Sequence, residues 1–481
     1  MSINGTIIQF FHDNDDCEES LWASLKKETT KLSRLGFTAA WLPPAFKGAL
    51  GAKDDGYTPY DLYDLGEYNQ KGTISTKYGN KEEYIDAIKS LHQKKINVYT
   101  EIVIDKKHGA DEIEYVDSED FMKQDNCQMV GKNKKIVGLS KFTFPGRNHE
   151  ESNYEYSWKD FSYIEWNKEK AIHDLNKNIS VEQLKELDNG DFIIGNKINY
   201  NNSNTKKELI KWGQWYQKNT KLDGFVFDAN YDLLNVYKDL FENVRHKMKT
   251  DLFGLTKMWQ WNVDEIKKYI DCFGGKVSAI DVPLHYNLYN CSKGHGDYDL
   301  RKIFDGTLVS ERPYNAITFV DNSDTLTGGI FESTVEDWFK KIAYSLILLR
   351  KDGYPVVSYP DYVGECDVKN FKKDLDKILK LRVEKAYGEQ HDYFDNPNCI
   401  GWTREGVADI KDSGMAVVIS DGIGGTKRMY IGKQFAGAHF SDALGNAKYN
   451  IKIDDNGYGD FYVNRGAVAV WIRKENKKQV I

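Results

Sequence analysis

The chain has 481 residues, 40% of them hydrophobic and 29% charged, and a net charge of −7 at neutral pH. That length predicts two or three domains, and the composition excludes a mainly disordered chain. Acids and bases are interspersed without a basic block, which argues against a nucleic-acid partner, and the longest apolar runs, such as SLILL, are too short to span a membrane.

The N-terminal MSINGTIIQFF has no basic segment followed by a long apolar run and a cleavage site, so a cytoplasmic location is expected. GTIIQFF reads as the first strand, followed by an amphipathic helix over ESLWASLKKETTKLSRLG and a second strand in FTAAWLP. A helix over EYIDAIKSLHQKK comes next, with Ile85, Ile88 and Leu91 predicted as its buried stripe. Further strands are predicted in INVYTEIVI, LDGFVFDA, LFGLTKMW, VSAIDVPL, AITFVDN and PVVSYP, with helical patterns such as KKELIKWGQWYQK and TVEDWFKKIAYSLILLRK between them. Strand and helix alternating eight times is the pattern of a (β/α)8 TIM barrel, because parallel strands need a crossover between them.

The third and fourth strands are separated by a polar stretch too long for a structureless loop, so an inserted domain is expected after strand 3. Beyond about His391 the helical period gives way to short strands and Gly-rich turns in GWTREG, AVVISDG, RMYIG and GDFYVN. The expected division is a barrel over 1–104 and 207–392, an inserted domain over 105–206, and an antiparallel β-sandwich over 393–481. The cysteines, Cys17, Cys127, Cys272, Cys291, Cys366 and Cys399, lack paired spacing, so free thiols are expected rather than a disulfide framework or a zinc site.

A barrel of this kind carries its functional groups where strands end. Those positions hold Tyr57, Asp105, Lys106, Asp228, Lys257, Asp281 and the run Asp321-Asn322-Ser323-Asp324. Several carboxylates with an aromatic suggest a sugar site, since glycoside hydrolysis uses two carboxyl groups. The same acids could equally cap helices.

The stretches GYTPYDLYDLGEYNQKGTISTKYG, INVYTEIVI, FTFPGR, LDGFVFDA, DVPLHY, TFVDNSDT, QHDYFD, GWTREG and GTKRMYIG together resemble the α-amylases of glycoside hydrolase family 13, most closely the bacterial liquefying type. The resemblance runs through nearly the whole chain. It implies a catalytic barrel, a domain protruding after strand 3 and a C-terminal β-sandwich. It assigns the nucleophile to Asp228 and the third carboxylate to Asp324. The position of the general acid is Lys257, and that of the Arg that orients the nucleophile is Val226. Sugar-contacting positions fall on Tyr57, Lys106, Tyr231, Asp232, Asn322 and Ser323, of which Lys106, Asp232 and Ser323 stand where the family has His and Tyr231 where it has Lys.

These substitutions predict a degenerate catalytic site. A lysine ammonium, with a pKa near ~10, is a poor proton donor at neutral pH, and neighbouring carboxylates hold it charged. General acid catalysis alone contributes about 10²–10⁴-fold. The family's calcium positions are altered as well, to Asp105, Lys197 and Asn199. An ammonium cannot replace an oxygen ligand, so no cofactor is expected, and Lys197 is expected either to pair with Asp105 in place of the cation or to be exposed with the loop rearranged. The leading expectation is an inactive α-amylase homologue that binds α-glucan or maltooligosaccharide, with Tyr57 stacking on sugar and Trp158, Tyr163 and Trp166 extending the surface. The alternatives are a hydrolase or transferase with a displaced acid such as Glu265, and a protein that regulates an active amylase as its partner without binding glycan.

Overall fold

The computed structural model describes residues 4–11, 19–117, 135–164, 195–364 and 369–474. Trp166 and the cysteines at 17, 127 and 366 lie outside the described residues. The other three cysteines, Cys272, Cys291 and Cys399, are free.

Eight parallel strands close a barrel: β1 (Ile7–Gln9), β2 (Ala39–Leu42), β3 (Asn97–Glu101), β4 (Gly224–Asp228), β5 (Phe253–Lys257), β6 (Ser278–Ile280), β7 (Ala316–Phe319) and β8 (Tyr354–Ser358). They follow chain order around the ring, and β8 pairs with β1 through Ile7–Val356 to close it. Seven of the strands fall within the apolar runs named above, and β8 starts one residue before its run, at Tyr354. The runs are nearly continuous because both faces are covered, and residues such as Ile7, Ala40, Val98, Phe225, Leu255, Ile280, Ile317 and Val357 are almost wholly buried.

Among the described residues, eight longer helices accompany the strands: α1 (Leu21–Arg34), α2 (Lys81–Gln93), α3 (Ser203–Thr220), α4 (Leu234–Met248), α5 (Val263–Cys272), α6 (Val282–Gly294), α7 (Asp337–Leu348) and α8 (Lys372–Glu384). Asn80 starts α2 with a capping box: its side chain accepts the Glu83 N–H, and the Glu83 carboxylate accepts the Asn80 N–H, each at 3.0 Å. The buried stripe of α2 is Tyr84, Ala87, Ile88 and Leu91, and the expected Ile85 is only partly covered. A strict three-residue step drifts off a 3.6-residue helix, whereas steps alternating between three and four stay on one face.

Close packing divides the chain into two compact units, one of Met1–Asp13, Thr30–Trp41 and Leu255–Ile481, the other of Asn14–Thr29 and Leu42–Gly254. In the second, the stretch between β3 and β4 forms a three-stranded antiparallel sheet from Lys106–His108, Gly195–Ile198 and Phe161–Ile164, and a hairpin of Glu112–Asp117 with Lys135–Lys141. An aromatic core of Tyr60, Phe142, Phe144, Tyr156 and Phe161 lies beneath.

In the first unit, β9 (Gln390–Asn396), β10 (Cys399–Arg404), β11 (Met415–Ser420), β12 (Gly425–Tyr430), β13 (His439–Asp442), β14 (Ile451–Lys452), β15 (Tyr458–Val463) and β16 (Ala467–Arg473) form the C-terminal antiparallel β-sandwich. Its sheets run β9-β10-β11-β16-β13-β14 and β12-β15. Met429, Phe440, Phe461 and Trp471 fill the space between them.

Candidate functional site

All eight barrel strands run in one sense, so their carboxyl ends form a single rim. On β4, Val226 is fully buried and Asp228, the last residue, is exposed. Beside β4, β3 ends at Glu101, which is in register with Val226. Glu101 is almost wholly buried, and its carboxylate accepts the Tyr57 hydroxyl at 2.7 Å. The sequence reading passed over Glu101; the signal was a carboxylate ending an apolar strand, where burial demands a donor.

Asp105 and Lys106 follow β3 into the inserted sheet. Burial raises the Asp105 carboxyl above the usual carboxylate range, the Asp228 charge adds to that rise, and the Lys106 and Lys197 charges oppose it. Lys197 lies directly across from Lys106 in the antiparallel register, so two like charges face one another. The expected Lys197–Asp105 ion pair is not formed. The Lys197 ammonium pairs instead with Asp232 at 3.4 Å, with both side chains largely in solvent. The like-charged neighbour and the pull of water draw the flexible lysine stem outward. Asn199 is buried; its side-chain oxygen accepts the Asn201 N–H at 3.0 Å. The three positions that the resemblance gives to calcium thus present one carboxylate, one engaged amide oxygen and one ammonium, a donor set that does not suit a cation needing 6–8 oxygens. Tyr231 is exposed, as is Tyr163, whereas Trp158 is partly covered by the inserted-domain core.

In the other unit, Lys257 is the last residue of β5 and is half-buried. Two of the acids read as rim groups serve the fold. Asp281 is fully buried, caps α6 through the Leu284 N–H at 3.1 Å, and also accepts the N–H groups of Leu308 at 3.0 Å and Val309 at 2.7 Å. Burial raises its carboxyl to about 6 despite those bonds. Asp321 is fully buried and bound to the Lys340 ammonium at 3.1 Å. Asn322 turns inward, its side-chain oxygen accepting the N–H of Asp324 at 2.9 Å and of Thr325 at 3.1 Å. It therefore shapes the turn that carries the exposed Ser323 and the partly exposed Asp324.

An aromatic group in the same unit was not foreseen as a site. Trp261, 60% exposed, stacks on Tyr286 with ring centres 3.6 Å apart, and Trp259 stacks on Phe331 at 4.2 Å. Buried His285 lies beside Trp259 and Tyr286, and is bound to the Val320 carbonyl at 2.7 Å and the Ser333 hydroxyl at 2.9 Å. The Trp that follows Gln260 was the available signal, but its partner arrives from the next strand–helix unit.

Residues 416–472 match the family described as Alpha-amylase C-terminal. The chain is 38% identical to an α-amylase of Geobacillus stearothermophilus over 99% of this chain and 88% of that protein. The chain belongs to the α-amylase family. It is also 35% identical to the cytoplasmic α-amylase of Escherichia coli strain K12, over 98% of this chain and 99% of the relative. Among solved structures, the α-amylase from Geobacillus thermoleovorans complexed with acarbose aligns with a TM-score of 0.59 at 16% identity, covering 99% of this chain and 98% of that one. The Anoxybacillus α-amylase aligns at 0.62 and 16%, covering 98% of both chains. These likenesses establish the fold of this α-amylase-family chain, and its rim must be judged on its own residues. Among the described residues no helix is long and apolar enough to cross a membrane.

Proposed function

We propose that this member of the α-amylase family has lost glycoside hydrolysis at the barrel rim and retains a surface that holds an α-glucan or maltooligosaccharide. The observation that carries the reading is Lys257, an ammonium at the end of β5 in the position that the resemblance gives to the general acid. An ammonium leaves the departing sugar oxygen without a competent proton donor at neutral pH. Val226 supports the same reading, because a fully buried apolar side chain on β4 cannot orient the Asp228 carboxylate as a guanidinium would. Such groups act as a unit, and their loss is not made good by the two surviving carboxylates, Asp228 and Asp324. The donor set of Asp105, Lys197 and Asn199 supports a protein without the family's calcium.

The glucan surface rests on the stacked pairs Trp261–Tyr286 and Trp259–Phe331, whose flat apolar faces suit the C–H face of a pyranose. The relatives' names, α-amylase and glucan 1,4-α-maltohexaosidase, supply the substrate class. Hydrolysis by a displaced Glu265 has less support, since that residue sits on α5 paired with Lys268 at 2.5 Å. Titration of the purified chain with maltoheptaose, beside a reducing-sugar assay on starch, tests the proposal. Saturable heat that is lost in Trp261→Ala, without sugar release, is expected. No heat at millimolar ligand would remove the glucan surface, and rapid starch hydrolysis would remove the claim of inactivity.

A further inference from the structure

A cavity of about 650 Å³ lies at the amino-terminal ends of β1 and β8, the end of the barrel opposite the rim. Gly5 and Tyr354 line it, and so do two arginines, Arg382 of α8 and Arg404 at the end of β10. Both are deeply buried, with 3% and 5% of their surface exposed. Buried guanidiniums normally carry a carboxylate partner or a full set of acceptors. Arg382 donates to the Leu348 carbonyl and, at 2.8 Å, to that of Gly5, which leaves its Nε–H without an acceptor. Arg404 donates Nε–H to the Gly388 carbonyl at 3.1 Å, and its Nη1 has no partner.

The neighbouring Arg350 gives the contrast. Its two terminal nitrogens bind the Asp392 carboxylate at 2.7 and 2.8 Å. Neither Arg382 nor Arg404 forms an ion pair among the described residues. Burial lowers Arg382 to about 9, helped by the Arg404 charge. Burial also lowers Arg404 to about 10, with Asp352 opposing the fall and Arg350 adding to it. Both remain protonated at neutral pH. The cavity wall thus holds two buried cations with orphaned donors, and Asp352 is the one carboxylate lining it.

We infer that this cavity binds the phosphate group of a small phosphorylated molecule, held by the unpaired guanidinium charges of Arg382 and Arg404 in its wall. Guanidinium groups match tetrahedral oxyanions in shape and charge, and an anion in the cavity would offset two buried charges that no carboxylate pairs among the described residues. The volume is in the range of small-molecule sites and leaves room for a body of hexose size beside the phosphate. Binding here is independent of the rim, so it can succeed or fail whatever the fate of the glucan proposal.

The test is calorimetric titration of the full chain with inorganic phosphate, with glucose 6-phosphate and with glucose. Saturable binding of both phosphates, and none of glucose, is expected. Tighter binding of the sugar phosphate assigns the site to the ester, and equal binding assigns it to free phosphate. Arg404→Gln should weaken binding at least about tenfold. Because that variant removes a buried group and could unfold, Asp352→Asn provides a second arm on the partly exposed wall. Loss of its repulsion should tighten phosphate binding by roughly threefold. No saturable heat at about 10 mM of either phosphate, or affinities unchanged in both variants, would overturn the inference.

Discussion

Lys340 on α7 is 1% exposed and bridges two fully buried carboxylates, Asp321 at 3.1 Å and Asp361 in closer contact. Tyr344 donates to Asp361 at 2.6 Å, and Thr325 donates to Asp321 at 3.0 Å. Burial opposes the ammonium charge, but the two carboxylates outweigh it and hold Lys340 protonated. Replacing it by Met leaves the two acids facing each other without a cation, a loss of about 3–5 kcal/mol for a broken buried pair. The unfolding entropy of 481 residues is about 1 kcal/mol per degree, so Tm should fall by about 3–5 °C if the chain melts as one. It should fall by roughly twice that if the unit containing Lys340 melts alone.

The pH dependence of that loss is diagnostic. Burial already raises the Asp321 carboxyl, against the pull of Lys340 and with the push of Asp361. In Lys340→Met it must rise further. A raised folded-state value contributes stability that is present at low pH and lost as pH rises through that value. The deficit of the variant should therefore be largest at pH 8 and shrink towards pH 5. Scanning calorimetry at both values checks this, and a deficit below about 1 kcal/mol, or one constant with pH, would refute the reasoning.

His285 gives an opposite slope. Burial lowers its imidazole to about 4, so the stability it contributes is complete above the unfolded value near ~6.5 and is lost as pH falls towards 4. The loss is on the order of 3 kcal/mol, partly offset by the raised carboxyl of Asp281, which gains stability over the same interval. His285→Gln should flatten the acid limb of a Tm-against-pH curve, and an unchanged limb would place the titration elsewhere. A chelator should shift Tm by less than about 1 °C, and a fall of several degrees would restore a structural calcium. Lys197→Ala should cost no more than about 0.5 kcal/mol in denaturant titration, because its partner Asp232 is 76% exposed.

The barrel was legible because each strand is a short apolar run buried on both faces, as in VSAIDVPL and AITFVDN, and such runs need no knowledge of distant contacts. The roles of the rim acids were not. Asp281 and Asp228 both end apolar strands in the sequence. One is enclosed by N–H groups from Leu308 and Val309, far along the chain, and the other remains exposed. Asp321 was similarly indistinguishable from Asp324 until Lys340, carried by the following helix, claimed it. Lys197 was expected on Asp105, but the opposing Lys106 in the sheet register and an accessible Asp232 decide its direction. The Trp261–Tyr286 stack likewise joins the loop after β5 to helix α6, which no local pattern links. Local period predicts elements, whereas partner choice depends on which elements the fold brings together.

The central claim is that Lys257 and Val226 are the substitutions that silence hydrolysis on a barrel that keeps the family's fold. Starch hydrolysis by the purified chain, measured beside Lys257→Glu combined with Val226→Arg, addresses it most directly. The account predicts no hydrolysis above background in the unmutated chain, and a measurable rate in the double variant that is lost again when Asp228 is changed to Ala. Substantial hydrolysis by the unmutated chain would contradict it.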